Sequence, residues 1–120
     1  MRRQTVQLTT AADGTVTGFT RPVEGELHAI HYVKGDFADG VDFTITDEVT
    51  GETLWTEANV NASKVVYPRA ATHSTAGVAA LYAAGGAAVL ARPALARTKV
   101  KIQIAQGGNA KSGTFHVLVA

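Results

Sequence analysis

The apolar positions of this chain recur with a period of two. Val6 and Leu8 alternate with Thr5, Gln7 and Thr9, the signature of a strand with one face buried. Asp13-Gly14 is a strong turn signal, and Thr15 to Thr20 read as the returning second strand. Pro22 and Gly25 punctuate the next boundary. Leu27 to Val33 form a third predicted strand, with apolar residues on both faces and so a central place in a sheet. Val41, Phe43 and Ile45 alternate cleanly with Asp42, Thr44 and Thr46. Thr50-Gly51 closes a predicted hairpin into Thr53-Leu54-Trp55-Thr56, and a short strand from Lys64 to Tyr67 stops at Pro68. Val100, Ile102 and Ile104 alternate with Lys99, Lys101 and Gln103. Gly107-Gly108-Asn109 then turns the chain, and Thr114 to Val119 run back with Phe115, Val117 and Val119 on one face. About eight short strands, with turn signals roughly every 8 to 12 residues, predict an all-β fold. The expected architecture is one antiparallel β-sandwich or jelly-roll-like domain over residues 1–120. Residues 1–10 are either an N-terminal arm or an edge strand.

One region breaks the period. Ala70 to Ala96 is rich in alanine, carries Gly77, Gly85 and Gly86, and has almost no charge between Ala76 and Ala91. Alanine and leucine favour a helix over Ala76 to Ala84. The flanking glycines and the missing 3.6-residue stripe favour a long excursion between sheets instead, a loop over residues 68–96. An uncharged loop of small residues is a candidate contact surface, packed on its own sheet or on a partner.

Composition narrows the function classes. A chain of 120 residues buries enough surface for one core without staples, and with no cysteine it has neither disulfides nor thiolate metal ligands. A net charge of +1 gives no general attraction to nucleic acid or to anionic membrane. Charged residues are only 18% of the chain, against about 25% in ordinary domains, which predicts surfaces that are covered in the working state. No stretch approaches the ~18 apolar residues of a membrane span. Arg2 and Arg3 are followed by Gln4-Thr5-Val6-Gln7 where a signal peptide needs an apolar run, so folding in the cytoplasm is expected.

Sites of chemistry are scarce. His28 and His31 are three apart and fall on opposite faces of a regular strand, His73 lies in the loop, and His116 lies in the last strand facing solvent or a partner. No spacing among them announces a zinc site. Ser74 beside His73 is adjacent in sequence only, and no nucleophile elbow is present. Asp36 with Asp39, and Asp47 with Glu48, read as turn chemistry rather than catalytic pairs. Gly107 to Ser112 lacks the glycine spacing of a phosphate loop and reads as a hairpin turn. Asn61-Ala62-Ser63 matches a glycosylation pattern that matters only in a secretory pathway. Arg92, Arg97, Lys99 and Lys101 form a mildly basic stretch, a solvated face or a patch for an acidic partner. No catalytic, cofactor or metal site is expected.

Several segments resemble a family of small bacteriophage virion structural proteins, of the capsid decoration or cement kind. They are Tyr32-Val33-Lys34-Gly35-Asp36-Phe37, Gly40-Val41-Asp42-Phe43-Thr44-Ile45-Thr46, Glu48-Val49-Thr50-Gly51 and Tyr67-Pro68-Arg69. Thr98-Lys99-Val100-Lys101-Ile102 and Gly107-Gly108 with Lys111-Ser112-Gly113-Thr114-Phe115-His116-Val117 complete the set, which covers roughly residues 27 to 119. None is a catalytic motif. The resemblance implies a non-enzymatic protein on the capsid exterior of the virion, made in the bacterial host cytoplasm. Its expected partners are the major capsid protein and further copies of itself as a dimer or trimer, with no nucleic acid and no membrane. Candidate contact residues are Arg2, Arg3, Arg69, His73, Leu81, Tyr82, Lys99 and Lys101. A head–tail joining or tail component of the same virion is the nearest alternative. A carbohydrate-binding β-sandwich is a third, although Trp55 is the single tryptophan and is expected in or beside the core.

Overall fold

Two antiparallel sheets lie face to face in the computed structural model, which describes residues 1–120. In chain order the strands are β1 (Arg2–Thr9), β2 (Val16–Phe19), β3 (Val23–Val33), β4 (Val41–Asp47), β5 (Thr53–Val60) and β6 (Lys64–Val66). They continue with β7 (Ala70–Ala71), β8 (Leu90–Ala91), β9 (Ala94–Thr98), β10 (Val100–Ala105) and β11 (Ser112–Val119). The five-stranded sheet runs β1-β11-β3, and β6 and β9 share the far edge of β3. The four-stranded sheet runs β2-β10-β4-β5. β7 and β8 pair only with each other.

The period of two builds the core directly. Val41, Phe43 and Ile45 on β4 face Val100, Ile102 and Ile104 on β10 and are shut from solvent, while Asp42, Thr44 and Thr46 face out half-buried. From the other sheet come Val6, Leu8, Leu27, Ile30, Tyr32, Phe115, Val117 and Val119, all in one continuous apolar cluster. Its centre is aromatic. Phe43 stacks edge-on against Trp55 at 4.6 Å and against Phe115 at 5.3 Å, and Tyr32 lies 5.0 Å from Phe43. Such pairs add about 0.5–1.5 kcal/mol each beyond their buried area. At the sandwich edge a Cβ on Gly18 would stand 2.2 Å from the Leu8 side chain, so β2 needs a glycine there to lie against β1.

Connections differ from the sequence expectation. Within the two large sheets only β4 and β5 are consecutive strands that pair, closed by Gly51 at φ 76° and by Asp47 N–H donating to the Glu52 carbonyl at 2.9 Å. Asp13-Gly14 does turn the chain, but β2 crosses to the other sheet and pairs with β10. The turn at Gly107-Gly108 likewise carries the chain from β10 in one sheet to β11 in the other. A turn dipeptide fixes a reversal, not a partner. The two crossings are tied together, since Gly107 N–H donates to the Gly14 carbonyl at 2.9 Å and the Thr10 hydroxyl donates to the Gly108 carbonyl at 2.6 Å.

β3 also departs from a regular strand. A bulge opposite Leu118 and Val119 inserts one residue, so Leu27 and Ile30, three apart, both face the core. The separation of His28 and His31 onto opposite faces assumed a regular strand and does not hold here; both are half-buried beside the core. Residues 1–10 are an edge strand, with all eight residues of β1 paired to β11. No helix forms over Ala76 to Ala84. The stretch read as one loop over 68–96 holds β7 and β8, and β9 begins inside it with Leu95 buried.

Candidate interaction surface

Residues 67–93 leave the free edge of β3 and return to it. Both feet are fastened. Pro68 and Pro93 are buried, and the Pro93 carbonyl accepts the Leu27 N–H at 2.9 Å. The Arg69 guanidinium donates to the His28 carbonyl at 3.3 Å, and the Tyr67 ring meets His28 edge-on at 5.9 Å. Beyond the feet, three extended pieces hold one another. Thr72 N–H donates to the Val89 carbonyl, Ala80 N–H to the Thr72 carbonyl and Val89 N–H to the Ala80 carbonyl, each at 2.9 Å. His73 bridges Ala79, and Leu81 bridges Ala88. At the turn the Ser74 hydroxyl accepts from the amides of Ala76 and Val78 at 3.3 and 3.4 Å. Small side chains let these pieces approach, and the internal ladder satisfies backbone groups without help from the body.

The result is an ordered arm that buries almost nothing of its own. No residue from Ala70 to Arg92 is buried. Val78 is 65% exposed, Tyr82 76%, Leu90 54% and Leu81 44%. No Asp, Glu, Lys or Arg occurs between Ala70 and Ala91. The radius of gyration is 15.6 Å, against about 13.6 Å for a compact chain of this length, as a projecting element requires. An exposed apolar patch of this kind marks a surface that meets another molecule.

The eight sequence-nominated residues do not form one site. Arg69, His73, Leu81 and Tyr82 belong to the arm and its root. Arg2 and Arg3 sit on β1, the opposite edge of the same sheet. Lys101 is on β10 in the other sheet, and Lys99 lies in the link between β9 and β10, so the two lysines do not share a strand.

Acids singled out in the sequence hold turns. The Asp47 side chain is buried and accepts from the Thr98 hydroxyl at 2.7 Å and from the amides of Val49 and Thr50 at 2.9 and 3.2 Å. Burial works to raise its pKa, but those hydrogen bonds together outweigh it and hold the carboxyl below its usual value. The Asp36 carboxylate takes the Ser112 amide, and Asp39 pairs with Lys34 at 3.2 Å. Hydrogen bonds from the Lys64 ammonium hold Glu57 low against burial, with help from the Trp55 indole. The glycosylation-like triplet is also engaged, with Asn61 accepting from Gly40 N–H at 2.7 Å and Ser63 from Lys34 N–H at 3.0 Å.

The concavities are few. One pocket of about 100 Å³ lies among Arg2, Gln4, Glu24 and Arg97. A shallow dish of about 320 Å³ is lined by Thr15, Thr17, Asp42, Thr44 and Gln103 with Phe43 beneath. Trp55 is only 9% exposed and offers no stacking platform to a sugar. No three His, Asp or Glu groups gather as metal ligands.

Sequence reasoning missed the pairing of His31 with His116 across β3 and β11. Nothing in either segment signals it, because the register joins residues 85 positions apart (116 − 31). No protein-family model matches the chain, and no curated protein matches it significantly.

Proposed function

We propose that this protein is a non-enzymatic structural component of a bacteriophage particle, a decoration protein that binds the assembled head shell and stabilises it. The projecting arm carries this reading. A chain that fastens both feet of an uncharged, apolar arm to β3 and then leaves its outer residues in water has made a surface for a partner. The resemblance of residues 27 to 119 to phage decoration proteins names the partner class: the major capsid protein, with neighbouring copies of this chain as dimers or trimers on the capsid exterior.

The mechanism is mass action. A protein that binds the closed shell better than loose subunits shifts the equilibrium toward the shell by that difference in binding free energy. Symmetric copies multiply a modest affinity at each site. Arg69 and the Pro68–Pro93 feet set the direction of the arm, and Leu81 and Tyr82 supply the anchoring apolar contacts.

Two measurements test this. Quantitative mass spectrometry of purified particles gives the copy number. Roughly one chain per shell subunit, or per few, supports a shell-covering role; roughly a dozen or fewer per particle moves the protein to the neck or tail. Absence from the particle overturns both and brings the sugar-binding reading forward. Co-sedimentation of the chain with emptied shells then compares wild type with a variant in which Thr72–Val89 is replaced by a short Gly-Asn turn. The trimmed chain is expected to fold and to lose shell binding; equal binding by both removes the arm from the mechanism.

A further inference from the structure

We propose that His31 and His116 form a two-imidazole site for a divalent transition-metal cation on the outer face of the five-stranded sheet. The pair is independent of the arm and of the proposed shell role.

The two residues are direct partners in the β3–β11 register. Their chain neighbours Ile30, Tyr32, Phe115 and Val117 are buried in the core, so both rings stand on the outer face, half-buried. Directly opposed residues on antiparallel strands have Cα atoms about 4.5–5.5 Å apart, with side chains side by side. A metal bound to two imidazole nitrogens at about 2.0–2.1 Å needs those nitrogens roughly 3 to 3.5 Å apart. An opposed pair reaches that spacing through side-chain rotation alone.

The surroundings favour it. Thr5 Oγ1 lies 3.0 Å from His116 Nδ1. With Nδ1–H donating to that hydroxyl, Nε2 keeps its lone pair, the arrangement that metal-binding histidines share. Arg3 on β1 is the charged group facing the pair; from β11 come Thr114 and Leu118, from β3 Ala29 and Val33, and from β6 Val65. No carboxylate joins the pair as a third ligand. Nitrogen donors without carboxylate select Cu²⁺, Ni²⁺ or Zn²⁺ over Mg²⁺ and Ca²⁺, with Cu²⁺ the tightest. The remaining coordination positions open to solvent.

The test uses the full chain without an affinity tag, titrated with Cu²⁺ alone by calorimetry, with electron paramagnetic resonance of the bound ion. One ion per chain with two nitrogen donors is expected. H31Q and H116Q should each weaken binding roughly tenfold or more, while H28Q and H73Q stay within about twofold. Melting curves of the metal-free variants confirm that each is folded. Unchanged binding in both H31Q and H116Q, equal loss in H28Q or H73Q, or a bound-ion spectrum without nitrogen coupling would each overturn the assignment.

Discussion

The body and the arm of this molecule solve opposite problems with the same backbone pairing. In the body, alternating apolar residues enter one closed core, and Tyr32, Phe43 and Phe115 are at most 1% exposed. In the arm, backbone hydrogen bonds also form, in a two-residue strand pair and two isolated bridges, but Val78, Tyr82 and Leu90 lie open. Strand pairing alone therefore does not measure stability. The body is held by burial, which contributes about 25 cal/mol per Å² of apolar surface. The arm is held by its ladder and by its two feet on β3. Its apolar side chains are free for a second molecule.

The sharpest way to break this comparison is to truncate one aromatic in each region. Phe43→Ala should cost about 3–5 kcal/mol in urea unfolding, because it empties the centre of the aromatic cluster. Tyr82→Ala should stay within about 0.5 kcal/mol, and on the proposed role it should weaken association with shells. A large stability loss at Tyr82 would mean that the arm is part of the folding unit.

The next test sets two turn-holding side chains against each other. Asp47→Ala leaves the amides of Val49 and Thr50 and the Thr98 hydroxyl without their shared acceptor and should cost about 1–3 kcal/mol at pH 7. The Asp47 pKa is lowered in the fold. Its contribution is therefore complete above the ordinary carboxylate value of about 3.9 and fades as pH falls through the lower folded value. Wild type and variant should converge in acid. Ser74→Ala removes the matching acceptor in the arm, at an exposed turn, and should move the unfolding midpoint much less.

Tyrosines sharpen the contrast further. The Tyr32 hydroxyl is buried without a hydrogen-bond partner. Burial first, and the Asp39 charge second, push its pKa up to about 12. The unfolded phenol ionises near 10, so folding loses stability as pH climbs from about 10 toward 12. Tyr32→Phe should remove that alkaline loss, and at pH 7 it should be neutral or up to about 1 kcal/mol more stable. Unfolding midpoints at pH 7 and 10.5 decide it.

The smallest effect concerns backbone strain. Ala110 in the body holds φ 52°, a left-handed conformation that disfavours an L side chain by roughly 1–2 kcal/mol. Ala110→Gly should gain about 0.5–1 kcal/mol after the glycine entropy is subtracted. In the arm the same conformation already carries glycine, at Gly77 with φ 77° and open space around it. Gly77→Ala should lose about as much, seen in local hydrogen exchange of the arm before global unfolding.

What the sequence made legible follows the same division. Strands such as Val41–Asp47 were readable because a half-buried strand must alternate, and one residue type pattern serves every partner. Their partners were not readable. Asp13-Gly14 and Gly107-Gly108 announced reversals, but which sheet receives β2 or β11 depends on the packing of Leu8 over Gly18 and on hydrogen bonds between the two turns. The bulge in β3 hid the phase of His28 and His31. The arm was recognisable as a surface from its missing charge, yet its strands were invisible, since Ala and Gly carry no alternation when neither face is buried.

The position of β11 has a consequence for biosynthesis. It lies between β1 and β3, so a strand made after both of them completes their sheet. Until residues 112–119 have left the ribosome, β1 has no hydrogen-bonded partner strand and the core is open on one side. The five-stranded sheet therefore closes only after the uncharged arm has been made, and the arm waits beside an unfinished body. Chaperone capture of the nascent chain is expected to persist at least until β11 docks.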